Sequence, residues 1–365
     1  MQRELPAGRL YFIDALRGVA ALGVLCHHLK HNTVLEPLLN KILPAFVVNF
    51  CGFGKYGVEI FFVLSGFVIT HSLREHRSTS SEIIRFIFRR QVRLDPVYWT
   101  TIFGVLLLWI AEAQIPNLET NALPSASAVF ANIFYLQNIV GSRQIVGVAW
   151  TLCIEIQFYL FYMVVLLLAN SQSTSFAFHR VLAAILFFTG TLSLASSVLG
   201  WNSQLHSTLV PYWCFFAVGS LSYLFYARHV SAWTCGGFFM LMLIATLQVK
   251  SLELFFGTVT SGLIVLVGNA GALSRWTGGN ALQYFGKISY SLYLVHLPVL
   301  SVVMRGGYKI TGDSSWAAIG WMLFAAFLCI VVAHLMYTCV ERPSMKLAGY
   351  ISKESIAKRK LLNAT

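Results

Sequence analysis

Residues 146–169 read "VGVAWTLCIEIQFYLFYMVVLLLA", an uninterrupted apolar run whose one charged residue is Glu155. As a helix rising 1.5 Å per residue, a run of this length reaches about 36 Å, enough to cross a hydrocarbon core of about 30 Å. Runs of the same kind recur at 12–30, 57–73, 95–115, 181–199, 209–226, 233–248, 255–271, 282–304 and 317–340, which makes about ten spans. Composition agrees: 57% of the 365 residues are hydrophobic and 11% charged, where an ordinary soluble domain carries about 25% charged residues. The expected fold is all-α, a polytopic membrane protein with about ten transmembrane helices. One membrane domain is expected over 1–345, followed by a basic tail over 346–365.

Charge gives an orientation. With the N-terminus in the cytoplasm, the inner side receives Arg3, Arg9, Arg74, Arg77, Arg85, Arg89, Arg90, Arg93, Arg180, Arg228, Arg275 and the cations after the last span. The outer side receives Lys30, Lys41, Lys55, Arg143, Lys250, Arg305 and Lys309. This inward excess satisfies the positive-inside rule and places both termini in the cytoplasm. The net charge of +12 is then a property of cytoplasmic loops facing anionic lipid, and nucleic acid is not expected as a partner. The seven cysteines show no CxxC spacing, so neither a disulfide framework nor a zinc site is expected. The first span carries Asp14 and Arg17 and lacks a small-residue cleavage pattern, so it is expected to remain as a helix.

Ionisable residues inside spans cost roughly 2.5–3.5 kcal/mol each on insertion scales, so they face a cavity or a partner by default. In "RGVAALGVLCHH" (17–28), Arg17 and His28 are eleven residues apart. That returns them to within about 20° of one helix face and separates them by about 16 Å along the axis. Asp14, one turn before Arg17, can pair with it. The competing reading is that Arg17 snorkels to one interface while His28 sits at the other. Arg85, Arg89 and Arg93 form a guanidinium stripe with Arg90 beside it, suited either to phosphate oxygens or to anionic lipid. Glu155 needs a partner from elsewhere: a cation, or an imidazole that it orients. In "FGKISYSLYLVHLPVL" (285–300), Ser289, Tyr293 and His296 share a face beside Lys287 and Tyr290. That stripe would serve a ligand's hydroxyls or helix packing equally well. Ser65 and Gly66 read first as close-packing residues, and Glu341, Arg342 and Pro343 as a helix end with an ion pair.

Taken together, "IDALRGVAALGVLCHH", "GVEIFFVLSGF", "RRQVRLDPVYW", "WTLCIEIQFYL", "GKISYSLYLVHLP" and the terminal "ERP" resemble, in order and over nearly the whole chain, the acyltransferase-3 family of membrane acyltransferases. The resemblance implies a ten-span fold and transfer of an acyl group, usually acetyl from acetyl-CoA, to a hydroxyl. The acceptor is often a surface carbohydrate such as an exopolysaccharide, lipopolysaccharide O-antigen or lipid-linked glycan. The family's Arg-x10-His pattern falls on Arg17 and His28, its Arg-x-x-Arg pair on Arg90 and Arg93, and its span-four acid on Glu155. On this basis His28 is expected to be the catalytic base with Glu155 as its orienter. Arg17, Arg90, Arg93 and Lys287 are expected to hold acyl-CoA, and Asp14, Ser289, Tyr290, Tyr293 and His296 to contact the acceptor, with no metal. The protein is expected in a bacterial inner membrane. A proton-coupled transporter using Arg, His and Glu as a relay is the alternative.

Overall fold

The structure, a computed structural model, describes residues 9–31, 33–73, 80–115, 122–170, 174–201 and 205–350, with the side chains of 80–83 excepted. Among the described residues the regular elements are all helices, without strands. In chain order the helices are α1 (Tyr11–Lys30), α2 (Glu36–Ile42), α3 (Ala45–Phe53), α4 (Gly57–Ser72), α5 (Ser80–Glu112), α6 (Ala126–Ile133) and α7 (Trp150–Ala169). They continue with α8 (Ser175–Val198), α9 (Trp213–Tyr226), α10 (Ala232–Val249), α11 (Leu252–Asn269), α12 (Asn280–Thr311) and α13 (Ser315–Met336). Among the described residues, nine helical stretches are long and apolar enough to cross a membrane. The expected span at 209–226 is the exception. It forms a 3-10 turn, Val210–Tyr212, and the 14-residue α9, in which every side chain except Phe225 is buried. A helix apolar all round is equally at home inside a protein core.

Two boundaries differ from expectation. α5 begins at Ser80 and runs unbroken through Pro96, so the arginine stripe is the first turns of the spanning helix itself. Proline removes one intrahelical hydrogen bond, a loss that neighbouring groups can absorb in membrane helices. After α13 the chain passes through a π turn, Tyr337–Glu341, and stays helical to residue 350. The terminal Glu-Arg-Pro therefore re-phases a helix instead of ending one, and Glu341 accepts a 2.6 Å hydrogen bond from Ser291. Between α5 and α7, the stretch "AVFANIFYLQNIV" (128–140) contains six of the eight residues of α6. The basic-tail expectation over 346–365 lies outside the described residues from 351 onward, as does Arg3.

The chain packs as two compact units, residues 1–27, 49–78 and 151–289, and residues 28–48, 79–150 and 290–365. In the first, α4 and α9 cross at van der Waals closeness. A Cβ on Gly66 would strike the Phe216 backbone, and one on Gly219 would strike the Val63 carbonyl. Small residues at such crossings let backbones approach, which supplies packing where lipid offers no hydrophobic drive between helices. Around the crossing, Phe216 stacks on Phe158 at 4.0 Å between ring centroids, the Ser220 hydroxyl donates to the Gly66 carbonyl, and Thr70 meets the Tyr162 hydroxyl at 2.8 Å. Residues 280–289 of α12 lie against α1 in the same way: Gly18 faces the Leu282 carbonyl and Gly286 the Asp14 carbonyl.

In the second unit, α5 supplies the core side chains Val97, Tyr98, Ile102 and Val105. Tyr98 stacks on Tyr135 and accepts a hydrogen bond from Gln137. Tyr135 donates to Asp95 at 2.8 Å, and burial pushes its phenol well above the usual range, so it stays a donor.

The α4–α9 crossing yields a paired test. Gly219→Val should lower the midpoint of thermal unfolding in detergent by several degrees, the signature of about 1–3 kcal/mol of overpacking. Gly104→Ala, where a Cβ meets open space, should leave it unchanged or raise it slightly. Folded fraction measured by size exclusion after heating reads both. Equal losses at the two positions would show that close approach is not what Gly219 provides.

Candidate functional site

His28 lies in the last turn of α1, and that turn is fixed by the residues just C-terminal to it. Lys30 is 2% exposed and donates to Glu36 at 3.3 Å, and His31 Nδ1 meets the same carboxylate oxygen at 3.0 Å. A cation in the final turn also complements the negative end of the helix dipole. Lys30, expected as an outer-side cation, is thus a buried anchor.

Across from His28 in the second unit stands His296, 1% exposed, with its Nε2 3.3 Å from His28 Nδ1 and the two rings 5.0 Å apart between centroids. His296 Nδ1 sits 3.1 Å from the carbonyl of Leu292, one turn back. That oxygen can only accept, so His296 carries its proton on Nδ1. An imidazolium so deeply buried without a carboxylate would be costly. The neutral ring therefore presents a lone pair at Nε2, and His28 Nδ1 donates to it. His28 is left with its lone pair on Nε2, the arrangement of a general base.

His296 is held firmly. Its carbonyl receives the Cys329 thiol, and Pro298, two residues on, removes the N–H that would have bonded the Leu294 carbonyl.

A cavity of about 370 Å³ adjoins this pair within the second unit, lined by His28, Trp109, Glu112, Leu297, Ser301 and Arg305 among others. Pockets for small ligands run from roughly 300 to 1,000 Å³, so one sugar ring or a short acyl group suits it better than a polymer segment. Its polar wall is an ion pair: Arg305 Nη2 lies 2.5 Å from Glu112 Oε1, and Arg305 Nε donates to the Ser301 carbonyl. Arg143 covers the Trp109 ring with its guanidinium carbon 4.7 Å from the centroid.

The remaining expected residues divide between the two units. Tyr290 donates to the Leu94 carbonyl at 2.9 Å and Tyr293 to the Val148 carbonyl at 3.3 Å, both in the second unit. Ser289 belongs to the first unit and bonds the Gly286 carbonyl of its own helix. These contacts favour the packing reading of the stripe, with His296 as the member drawn to His28. Asp14 pairs with Arg9 at 2.5 Å and not with Arg17 as expected, because Arg9 reaches the carboxylate from before the helix begins. Arg17 is half-buried with its Nε sealed and lacking a hydrogen-bond partner, whereas Lys287 is exposed. Glu155 accepts from Ser65 at 3.4 Å and from Tyr159 one turn along α7, all within the first unit.

Arg90 and Arg93 belong to the second unit, half-buried, with Arg90 over the Phe86 ring. Trp109, Glu112 and Arg305 were missed in the sequence. The available signal was a pair of opposite charges at the same-side ends of two spans.

A polytopic α-helical membrane protein with an imidazole pair beside a polar-walled cavity has the equipment for group transfer to or from a ligand held in the membrane. A family model described as an acyltransferase domain, that of the acyltransferase-3 family, matches residues 10–338, and the chain belongs to that family. The chain is similar to the peptidoglycan O-acetyltransferase OatA of Listeria monocytogenes, 24% identical over 96% of this chain and 58% of that protein. It is also similar to the exopolysaccharide production protein ExoZ of Rhizobium meliloti, 26% identical over 80% of this chain and 90% of that one. A Staphylococcus aureus relative is 25% identical over 92% of this chain. The chain spans 57% of that relative, just over half its length. No solved structure matches the chain at a significant level.

Tyr293→Phe separates packing from ligand contact. Removing a long hydrogen bond to a carbonyl should cost at most about 1 kcal/mol of stability and change turnover less than threefold. A loss of a hundredfold with folding intact would make the hydroxyl a ligand contact after all.

Proposed function

We propose that the protein is a membrane-bound O-acyltransferase that moves an acyl group, acetyl by preference, from acyl-CoA to a hydroxyl of a carbohydrate acceptor. The observation that carries this reading is the His28–His296 pair, whose His28 member lines the cavity. Family membership supports acyl transfer, and the relatives OatA and ExoZ point to polymers of the cell surface as the acceptor class.

In the reaction His28 Nε2 takes the acceptor's hydroxyl proton as that oxygen attacks the thioester carbonyl. The tetrahedral intermediate then collapses, the C–S bond breaks, and the imidazolium returns the proton to the departing thiolate. The products are the ester and free CoA thiol. Positioned general-base catalysis contributes about 10²–10⁴-fold. His296 is the positioning residue, fixing the tautomer and angle of His28. Glu155 accepts from Ser65 and Tyr159 within the first unit and takes no step in this scheme.

The donor's phosphates suit the forked donors of Arg90 and Arg93 in the second unit. Within the first unit, Arg17, whose buried Nε has no hydrogen-bond partner, suits an anionic or carbonyl oxygen. Along α5, Arg93 and Val105 on the cavity wall are twelve residues apart, about 18 Å, a distance for the flexible arm of CoA to cover. The orientation from positive charge puts the arginines inside and His28 toward the outside of a bacterial inner membrane, so a cytoplasmic thioester would serve an extracytoplasmic sugar.

The test is thiol release by purified protein given acetyl-CoA with exopolysaccharide hydrolysate or peptidoglycan fragments. Release should require the acceptor and fall at least a hundredfold in His28→Ala. Substituting His296 with Ala should lower kcat about 10–100-fold with little change in either KM, as expected of a group that acts through His28. Arg90→Ala combined with Arg93→Ala should raise the KM for acetyl-CoA. Wild-type turnover in His28→Ala would end the base assignment, and an unchanged donor KM would end the docking site.

A further inference from the structure

The polar wall of the cavity takes no part in the proton transfers assigned to His28, and its composition is specific. Arg305 and Glu112 meet at 2.5 Å, with the Glu112 side chain 13% and the Arg305 side chain 28% exposed. Only one carboxylate oxygen of Glu112 is engaged. Its Oε2 is buried and has no hydrogen-bond partner. A buried acceptor left unanswered costs about 1–3 kcal/mol, and the terminal carboxylate torsion of a glutamate is broad and roughly two-fold. A modest turn would bring that oxygen to the cavity that Glu112 already lines. On the other partner, Nη2 faces the carboxylate and Nε the Ser301 carbonyl, and a guanidinium has five N–H donors in all.

We propose that the Glu112–Arg305 pair is the acceptor clamp: the carboxylate accepts from one hydroxyl of a sugar ring, the guanidinium donates to the oxygen of its neighbour, and Trp109 walls the ring plane. This rests on the acyltransferase reading and deepens it, by naming the residues that choose the acceptor and the feature they choose, two adjacent hydroxyls. The chemistry fits a polyol better than an anion, because the carboxylate repels negative charge while the pair as a whole is neutral. It also fits a diol better than a lone alcohol, since a single hydroxyl would satisfy one half of the pair and leave the other desolvated. Rejection of analogues lacking a hydroxyl is strong at sites of this kind, because the missing group strands a buried partner. His28 lines the same cavity, so the clamp and the base act on one bound ring: the clamp orients it and a hydroxyl meets Nε2.

The experiment measures KM for both substrates in wild type, Glu112→Gln and Arg305→Lys, using acetyl-CoA with peptidoglycan fragments or exopolysaccharide hydrolysate, whichever the wild type acetylates. Each variant should raise the acceptor KM at least tenfold while the acetyl-CoA KM stays within twofold. A charge-swapped double variant, Glu112→Arg with Arg305→Glu, distinguishes a clamp from a brace. If the pair only ties α5 to α12, the swap restores wild-type acceptor KM and the proposal is overturned. If it is the clamp, the swap leaves the acceptor KM raised although the protein runs as a folded species on size exclusion. An acceptor KM unchanged in both single variants also overturns it. Failure of the acyltransferase reading has a different signature: wild-type protein that binds acetyl-CoA and releases no thiol with any of these acceptors.

Discussion

Hydrocarbon offers no hydrogen bonds, so each polar group in a spanning helix must be answered from within the protein. Much of the described hydrogen bonding obeys this one requirement. Thr70, Thr101, Thr246 and Thr258 turn their hydroxyls back to carbonyls of their own helices, Ser222 meets Ser261, and Tyr162 meets Thr70. Helices approach closely enough for such bonds where glycine opposes backbone, as at Gly66 and Gly219. Against that background an unanswered buried polar atom stands out. Arg17 Nε and Glu112 Oε2 are two of these among the described residues, and they belong to the regions proposed for donor and acceptor.

That requirement also explains what could be seen in the sequence. Apolar length identifies a spanning helix because nothing else of that length and composition is stable in lipid, and the class of the fold comes directly from it. It is less direct where a helix is enclosed by protein on nearly all sides, as α9 is, because enclosure and lipid favour the same residues. It fails at prolines. Pro96 and Pro343 look like boundaries in sequence, yet α5 and the segment after the π turn run through them, because the missing N–H is only one bond among many that packing can offset. Of the candidate site, His28 drew notice in the sequence by its depth and its spacing from Arg17. Its partner did not, since His28 and His296 are 268 residues apart and helical periodicity carries no information about which faces meet. Glu112 and Arg305 were hidden differently, because charges at span ends are what snorkelling produces in any membrane protein.

The geometry of α5 connects the two halves of the proposed reaction. Arg93 and Glu112 are nineteen residues apart, about 28 Å on a regular helix, close to the thickness of the hydrocarbon core. One continuous helix, α5, thereby carries both the arginines proposed for the donor and a wall of the cavity proposed for the acceptor. In the proposed reaction that helix would set the separation that a donor's arm has to bridge.

An imidazole as the partner of His28, the proposed base, suits the same medium. A carboxylate would orient His28 more strongly, but an ionised carboxylate kept dry beside a neutral ring is expensive in a low dielectric. Two neutral imidazoles at 3.3 Å give a directional hydrogen bond and no net charge in the resting state. In the proposed reaction, charge would develop only as His28 takes the acceptor proton, at the same moment that negative charge appears on the thioester oxygen. The two form as an ion pair and cancel in the departing thiol. A polar reaction run inside a membrane is cheapest when its resting state is neutral and its transition state is an internal dipole, and the His28–His296 pair meets the first of those conditions.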